Sequence, residues 1–151
     1  MIVIQEEHPN YCRDEIAELA EAHVHEINTT RSATQLNYKP NEEVFNILID
    51  AGAVRTVVVR DTLGILVGYG VLVTSPDTTD TDVTMCTCQA LYVVPEHRGM
   101  TSIKLLNKLE AVAKEVGAEC YVCGVKPDAD FSKYLLRRNF KLDETMYILK
   151  L

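Results

Sequence analysis

At 151 residues, with 47% hydrophobic and 25% charged side chains, the chain has the size and composition of one ordinary domain (1–151), long enough to bury a core without disulfide or metal staples. No apolar run approaches the ~18 residues needed to cross a bilayer, which argues against a membrane protein. The formal charge of -7, from 22 acidic against 15 basic residues, repels nucleic acid and anionic membrane surfaces and favours a cationic small molecule or a lysine side chain as partner.

The opening MIVIQEE is too short and too soon acidic for a signal peptide, so a cytoplasmic location is expected. Ile2 to Ile4 read as a brief strand. Asp14 is placed to cap a helix whose apolar positions Ile16, Leu19 and Val24 share much of one face. A polar loop, INTTRSATQLNYKP, leads to a second helix that starts at Pro40 and Asn41, carries acids in its first turn and ends before Gly52. From Val54 the texture turns to strands: RTVVVRD, a turn at Thr62 to Gly64, and ILVGYGVLVTS. The polar segment Ser75 to Asp82 links these to a third long strand, Val83 to Val94. A helix follows over Met100 to Val116, with Leu105, Leu109, Val112 and Val116 at helical spacing and Gly117 closing it. The chain then runs through a strand (Ala118 to Val125), a short helix (FSKYLLRRN) with Asn139 at a left-handed stop, and a last strand within FKLDETMYILKL. The predicted order is β-α-α-β-β-β-α-β-α-β, an α/β (α+β) arrangement.

The five cysteines are odd in number and lack secretory context, which favours reduced thiols. The spacings C-x-C at Cys86 and Cys88 and C-x-x-C at Cys120 and Cys123 resemble halves of a zinc site. Both pairs fall on strands, however, where Cys120 and Cys123 point to opposite faces. Buried structural thiols are therefore expected, and no metal.

The stretch LYVVPEHRGMTSIKLL, Leu91 to Leu106, carries a strand through a turn directly into a helix. A helix start offers unpaired N–H groups and the positive end of a dipole, which suits a phosphate. Arg98, Lys104 and Lys108 lie nearby.

The element order, the block LYVVPEHRG, the helix ending AKEVGAE before a strand, and the terminal block YLLRRNFKLDETMYILKL together resemble the GNAT superfamily of N-acetyltransferases over nearly the whole chain. In wording the chain is similar to GNAT proteins of bacteriophages, which have a similar APEHRGG loop and a VKP-x-x-D-F segment; a phage-encoded protein would work in the host cytoplasm. The resemblance implies a mixed, mostly antiparallel central sheet flanked by helices, and acetyl-CoA as cosubstrate. The family pattern R-x-x-G-x-G/A falls on Arg98, Thr101 and Ile103, so both later small positions are replaced, with Thr101 and Ser102 supplying hydroxyls instead.

On that resemblance, Leu91, Tyr92, Val93, Arg98, Gly99, Met100, Thr101, Ser102 and Ile103 are expected to bind the cofactor. The strand is expected to bulge around Leu91 to Val94, with the Val93 N–H on the thioester carbonyl. The family's acid tyrosine falls on Leu135, which makes its neighbour Tyr134 the candidate proton donor. For the base, Thr87 stands at the family's glutamate position and cannot serve. Glu96 and His97 lie beside the loop, and His23 and His25 are too close in sequence to share a helix face. Tyr92 or a bound water are the remaining routes. Glu42, Glu43, Asp77, Asp80 and Asp82 are acids suited to a cationic acceptor. The alternative is a non-catalytic module that binds acyl-CoA or a protein, and whether the last strand pairs with a second copy as a homodimer stays open at this stage.

Overall fold

The computed structural model describes residues 1–30, 35–126 and 129–151. Its elements are β1 (Val3–Glu7), α1 (Pro9–Thr30), α2 (Glu42–Asp50), β2 (Val54–Arg60), β3 (Leu66–Pro76), β4 (Thr84–Val93), α3 (Met100–Glu115), β5 (Cys120–Cys123) and α4 (Ser132–Arg137). The five strands form one sheet in sequential order, antiparallel throughout except that β4 and β5 run parallel. That single parallel pair follows from the crossover through α3, which returns the chain to the end of the sheet where β4 began.

The sheet is covered on both faces, which explains why the VVV run of β2 is apolar without alternation. Val57 and Val59 join Leu72, Leu105, Leu109 and Val112 in a core beneath α3. Val58 faces the other way, against Cys12 and Leu66 under α1, and Ile49, Val54, Tyr69, Val71 and Tyr92 extend that second layer towards α2. Arg60 ties three elements together. Its Nε reaches Glu7 at 2.8 Å and its terminal nitrogens reach Glu15 at 2.8 Å, and this pairing holds both carboxyls below their usual range.

Local signals account for most boundaries. Asn41 caps α2, its side-chain oxygen accepting from Val44 N–H at 3.1 Å. Gly117 and Asn139 take the left-handed conformation after α3 and α4. Three expectations change. Helix α1 starts at Pro9 instead of being capped at Asp14, because proline is well tolerated in a first turn where no N–H partner is needed. The bulge in β4 lies at Gln89, where Val71 pairs with Ala90 and Leu72 with Cys88, and not within Leu91 to Val94. The last strand does not form: residues 141–151 have no regular structure and are exposed, and β5 remains the edge of the sheet, so the apolar pattern of this segment has no ladder partner.

Two glycines in β3 allow close approaches, Gly70 to helix α3 and Gly68 to the neighbouring strand β4. A Cβ at Gly70 would lie 2.6 Å from Leu109 Cδ1, and one at Gly68 would lie 2.9 Å from the Tyr92 carbonyl oxygen and 3.1 Å from Val93 Cγ2. Because the obstacle at Gly68 is backbone, Gly68→Ala is expected to destabilise the protein by about 1–3 kcal/mol, read as a lowered midpoint in denaturant at unchanged slope. An unchanged midpoint would mean that β3 and β4 are less tightly apposed there.

Candidate functional site

The site is set by where β4 and β5 part. Their ladder runs from Met85↔Cys120 to Cys88↔Cys123, and none of the described residues of β5 pairs with β4 beyond that rung. On its other edge β4 stays with β3 as far as Gly68↔Val93, and Val94 N–H donates to the Val67 carbonyl at 2.9 Å. In an antiparallel ladder the main-chain groups alternate between edges, so Ala90, Tyr92 and Val94 face β3 while Leu91 and Val93 face away from it. The Leu91 and Val93 N–H groups therefore project along the unpaired edge.

That edge leads into the start of α3. Pro95 to His97 form a 3-10 turn, Arg98 N–H donates to the Pro95 carbonyl at 3.3 Å, and Gly99 follows at φ 86° and ψ -122°. A side chain at Gly99 would be strained in this left-handed region although nothing lies within 4 Å to obstruct it, so backbone conformation is what requires the glycine. No side chain caps the helix. The Ile103 N–H is the first to close an intrahelical bond, on the Gly99 carbonyl at 3.3 Å, so Met100, Thr101 and Ser102 carry the unpaired donors of the first turn and Ile103 does not.

Arg98 turns back from this turn. Its Nε donates to the Val93 carbonyl at 2.8 Å, its terminal nitrogen pairs with Glu26 of α1 at 2.6 Å, and its guanidinium lies 5.6 Å from the centre of the Tyr92 ring. Tyr92 has its backbone on β3 and its ring in the layer beneath α1. There it stacks on His23, with ring centres 4.8 Å apart and planes 20° apart, while His23 Nδ1 lies 2.9 Å from the Tyr69 hydroxyl. Burial lowers the pKa of His23 and raises that of Tyr69. His25, two residues on, is exposed.

On the opposite flank the Tyr134 hydroxyl donates to Asn107 of α3 at 2.5 Å, and burial raises its pKa. Leu135, at the family's tyrosine position, is buried. Arg138 and Lys114 both meet Glu110, so α4 is held along α3 by polar contacts. Three of the acids expected to attract an acceptor have structural partners: Glu42 binds Arg13, and Asp77 and Asp80 accept N–H groups of their own loop. Glu96 is exposed and His97 is half-buried.

Asn107, Tyr69 and Glu26 were absent from the sequence reading. Only Tyr69 left a signal there, as an aromatic residue between two strand glycines. The thiols sort by depth: Cys12 and Cys86 are buried, which raises their pKa, and Cys120 is exposed. Cys88 and Cys123 are partners on the last rung of the β4–β5 ladder; the Cys88 thiol donates to the Ala90 carbonyl at 3.6 Å, and the neighbouring Cys123 together with burial pushes the pKa of Cys88 up.

A model of the acetyltransferase (GNAT) family matches residues 17–140. Among solved structures, a Pyrococcus furiosus protein assigned as an acetyl transferase is 24% identical with a TM-score of 0.76, each chain covered in full. A ribosomal-protein-alanine N-acetyltransferase from Brucella melitensis biovar Abortus 2308 is 19% identical with a TM-score of 0.68, again with both chains covered in full. AAC(6')-Iy in complex with the bisubstrate analog CoA-S-monomethyl-acetylneamine is 9% identical with a TM-score of 0.67, over 100% of this chain and 98% of that one. These likenesses establish a shared fold. No curated protein matches the sequence.

The depth of the thiols predicts an order of labelling. A water-soluble aromatic disulfide should modify Cys120 in the folded protein and reach Cys12 and Cys86 only on unfolding, as followed by peptide mass mapping. Equal labelling of Cys12 and Cys120 under native conditions would contradict the packing of α1 on the sheet.

Proposed function

The chain belongs to the GNAT family of acetyltransferases, and on that premise we propose that it is an acetyl-CoA-dependent N-acetyltransferase acting by direct attack of a primary amine, on a small molecule or a protein. The observation that carries this reading is the continuity of the unpaired β4 edge at Leu91 and Val93 with the uncapped start of α3. An extended pantetheine arm suits the strand edge, and a pyrophosphate suits the N–H groups of Met100, Thr101 and Ser102. The CoA-bearing analog bound to AAC(6')-Iy supports the same use of this fold. The whole chain acts as one acyl-CoA-binding unit, and its acidic balance draws a cationic acceptor.

Each residue then has a task. The Val93 N–H donates to the thioester oxygen as negative charge builds on it, a fixed dipole that needs no reorganisation. Arg98, engaged on the Val93 carbonyl and Glu26, stiffens the turn between strand and helix instead of reaching for phosphate with its side chain. Tyr134 gives its proton to the departing thiolate. Burial keeps that hydroxyl protonated, and Asn107 orders it.

Acetyl-CoA at about 100 times its dissociation constant should add about 2.7 kcal/mol to stability, read as a rise in melting temperature. No rise would remove the acyl-CoA reading. Thr101→Asp separates backbone anion binding from general stability: a carboxylate in the first turn should stabilise the free protein by ~0.3–1 kcal/mol while diminishing the acetyl-CoA shift. An undiminished shift would count against the start of α3 as the pyrophosphate site.

Tyr134→Phe should slow thiol release with pooled polyamines, aminoglycosides and lysine peptides by on the order of 100-fold, with the acetyl-CoA shift unchanged. Equal rates would return Tyr134 to a packing role. A melting shift without thiol release from any amine would leave a binding module.

A further inference from the structure

The family pattern supplies no base in this chain, because Thr87 stands where a carboxylate is expected, yet the fold assembles a polar cluster that no motif announces. His23 from α1, Tyr69 from β3 and Tyr92 from β4 meet in the layer opposite α3. We propose that His23, pinned through Nδ1 to the Tyr69 hydroxyl and stacked on Tyr92, accepts the proton that the incoming amine gives up. The inference rests on the acetyltransferase reading above and names the proton acceptor of that same site.

Geometry supports it in three ways. Tyr92 immediately precedes Val93, so the imidazole stacked on its ring is one residue along the strand from the N–H assigned to the thioester oxygen. The ring is held from both sides of its edge and face, by the 2.9 Å contact to Tyr69 and by the stack, so its orientation is set before an amine arrives. In the tautomer that carries its proton on Nδ1 and donates it to the Tyr69 oxygen, the Nε2 lone pair is the remaining basic position.

The charges around the ring favour the neutral form. Burial acts most strongly, and Lys126 and Arg98 add to it, while Glu26 opposes it. The Tyr69 and Tyr92 hydroxyls facing the ring from the sheet have raised pKa values through burial, and Tyr38 lies near Tyr69, so these phenols stay protonated at neutral pH. The imidazole is thus ready to accept a proton at pH values where an ordinary histidine, at ~6.5, begins to be protonated.

The proton and electron account is closed. An alkylammonium loses one proton to Nε2, and the freed nitrogen lone pair forms the N–C bond as the carbonyl π pair moves to oxygen at the Val93 N–H. The pair then returns, the C–S bond breaks with its electrons on sulfur, and Tyr134 protonates the thiolate. The second nitrogen proton restores Tyr134, and His23 releases its own to solvent. One acylated amine, one thiol and one proton result.

The test uses the full chain, acetyl-CoA and the same amine panel, with His23→Phe to keep the stack and His23→Gln to keep a polar partner for Tyr69. Either variant that retains the wild-type acetyl-CoA melting shift should lose on the order of 100-fold or more in kcat/KM and lose the acid-side limb of its pH profile. Tyr69→Phe should move that limb to lower pH, because the imidazolium loses its acceptor. Independently of turnover, the His23 ring proton in NMR should titrate below ~6.5 in wild type and lower again in Tyr69→Phe. Unchanged rates and limb in both His23 variants, or an ordinary titration unaffected by Tyr69→Phe, would overturn the assignment. So would a wild-type protein that shifts with acetyl-CoA but releases thiol with no amine. Absence of the shift in wild type would fail the cofactor reading itself, a different result from a bound cofactor with an unaltered pH profile.

Discussion

Everything in the site depends on β4 and β5 ceasing to pair after Cys88 and Cys123. A buried strand edge ordinarily satisfies its N–H and carbonyl groups within the sheet, and leaving two donors unpaired is costly unless something else meets them. Here the bulge at Gln89 increases the local twist of β4 just past the last shared rung, and the next residues keep only their β3 partners. The result is an open strand edge lined by main-chain groups. Its polar groups are main-chain groups, so the edge presents donors whatever the side chains of Leu91 and Val93 are.

Helix α3 begins a short turn beyond this edge. Gly70 lets Leu109 of α3 sit nearly against the backbone of β3, and Gly68 lets β3 approach the Tyr92 carbonyl of β4. Gly99 makes the reversal of direction that the turn requires. With those three glycines in place the later positions of the loop need not be glycine. Thr101 and Ser102 still present N–H groups because the first turn of any helix does.

The opposite layer carries aromatic rings with polar tips. Tyr69, Tyr92 and His23 pack under α1, with the Tyr69 hydroxyl within hydrogen-bonding reach of His23 Nδ1 and the Tyr92 ring stacked on the imidazole, and Arg98 with Glu26 closes the edge of that cluster beside Val93. The two tyrosines on the sheet and the histidine on the helix thus belong to the core of the α1 layer while keeping polar tips close to the end of β4.

The elements themselves were legible in the sequence because their signals are local. Asn41 before α2, Gly117 after α3, the left-handed Asn139 and the two apolar periods each act within a few residues, and the strand-to-helix turn around Gly99 was found for the same reason. Local signals mislead where they have a competitor or lack a partner: Asp14 looks like a cap but lies inside a helix begun by Pro9, and the apolar segment TMYILKL looks like a strand but pairs with no strand of the sheet. The His23–Tyr69 pair, 46 residues apart, and the Tyr134–Asn107 pair, 27 apart, have no sequence signature at all. Which side chains share a cluster depends on strand register and on the face each helix turns to the sheet, and a shift of one residue in either reverses or rotates every side chain. The sequence by itself thus determined the order of elements and the position of the strand-to-helix turn. Only the tertiary structure decided which edge of β4 is left open and which side chains stand beside it, because those depend on pairing between segments that carry no local mark of their partners.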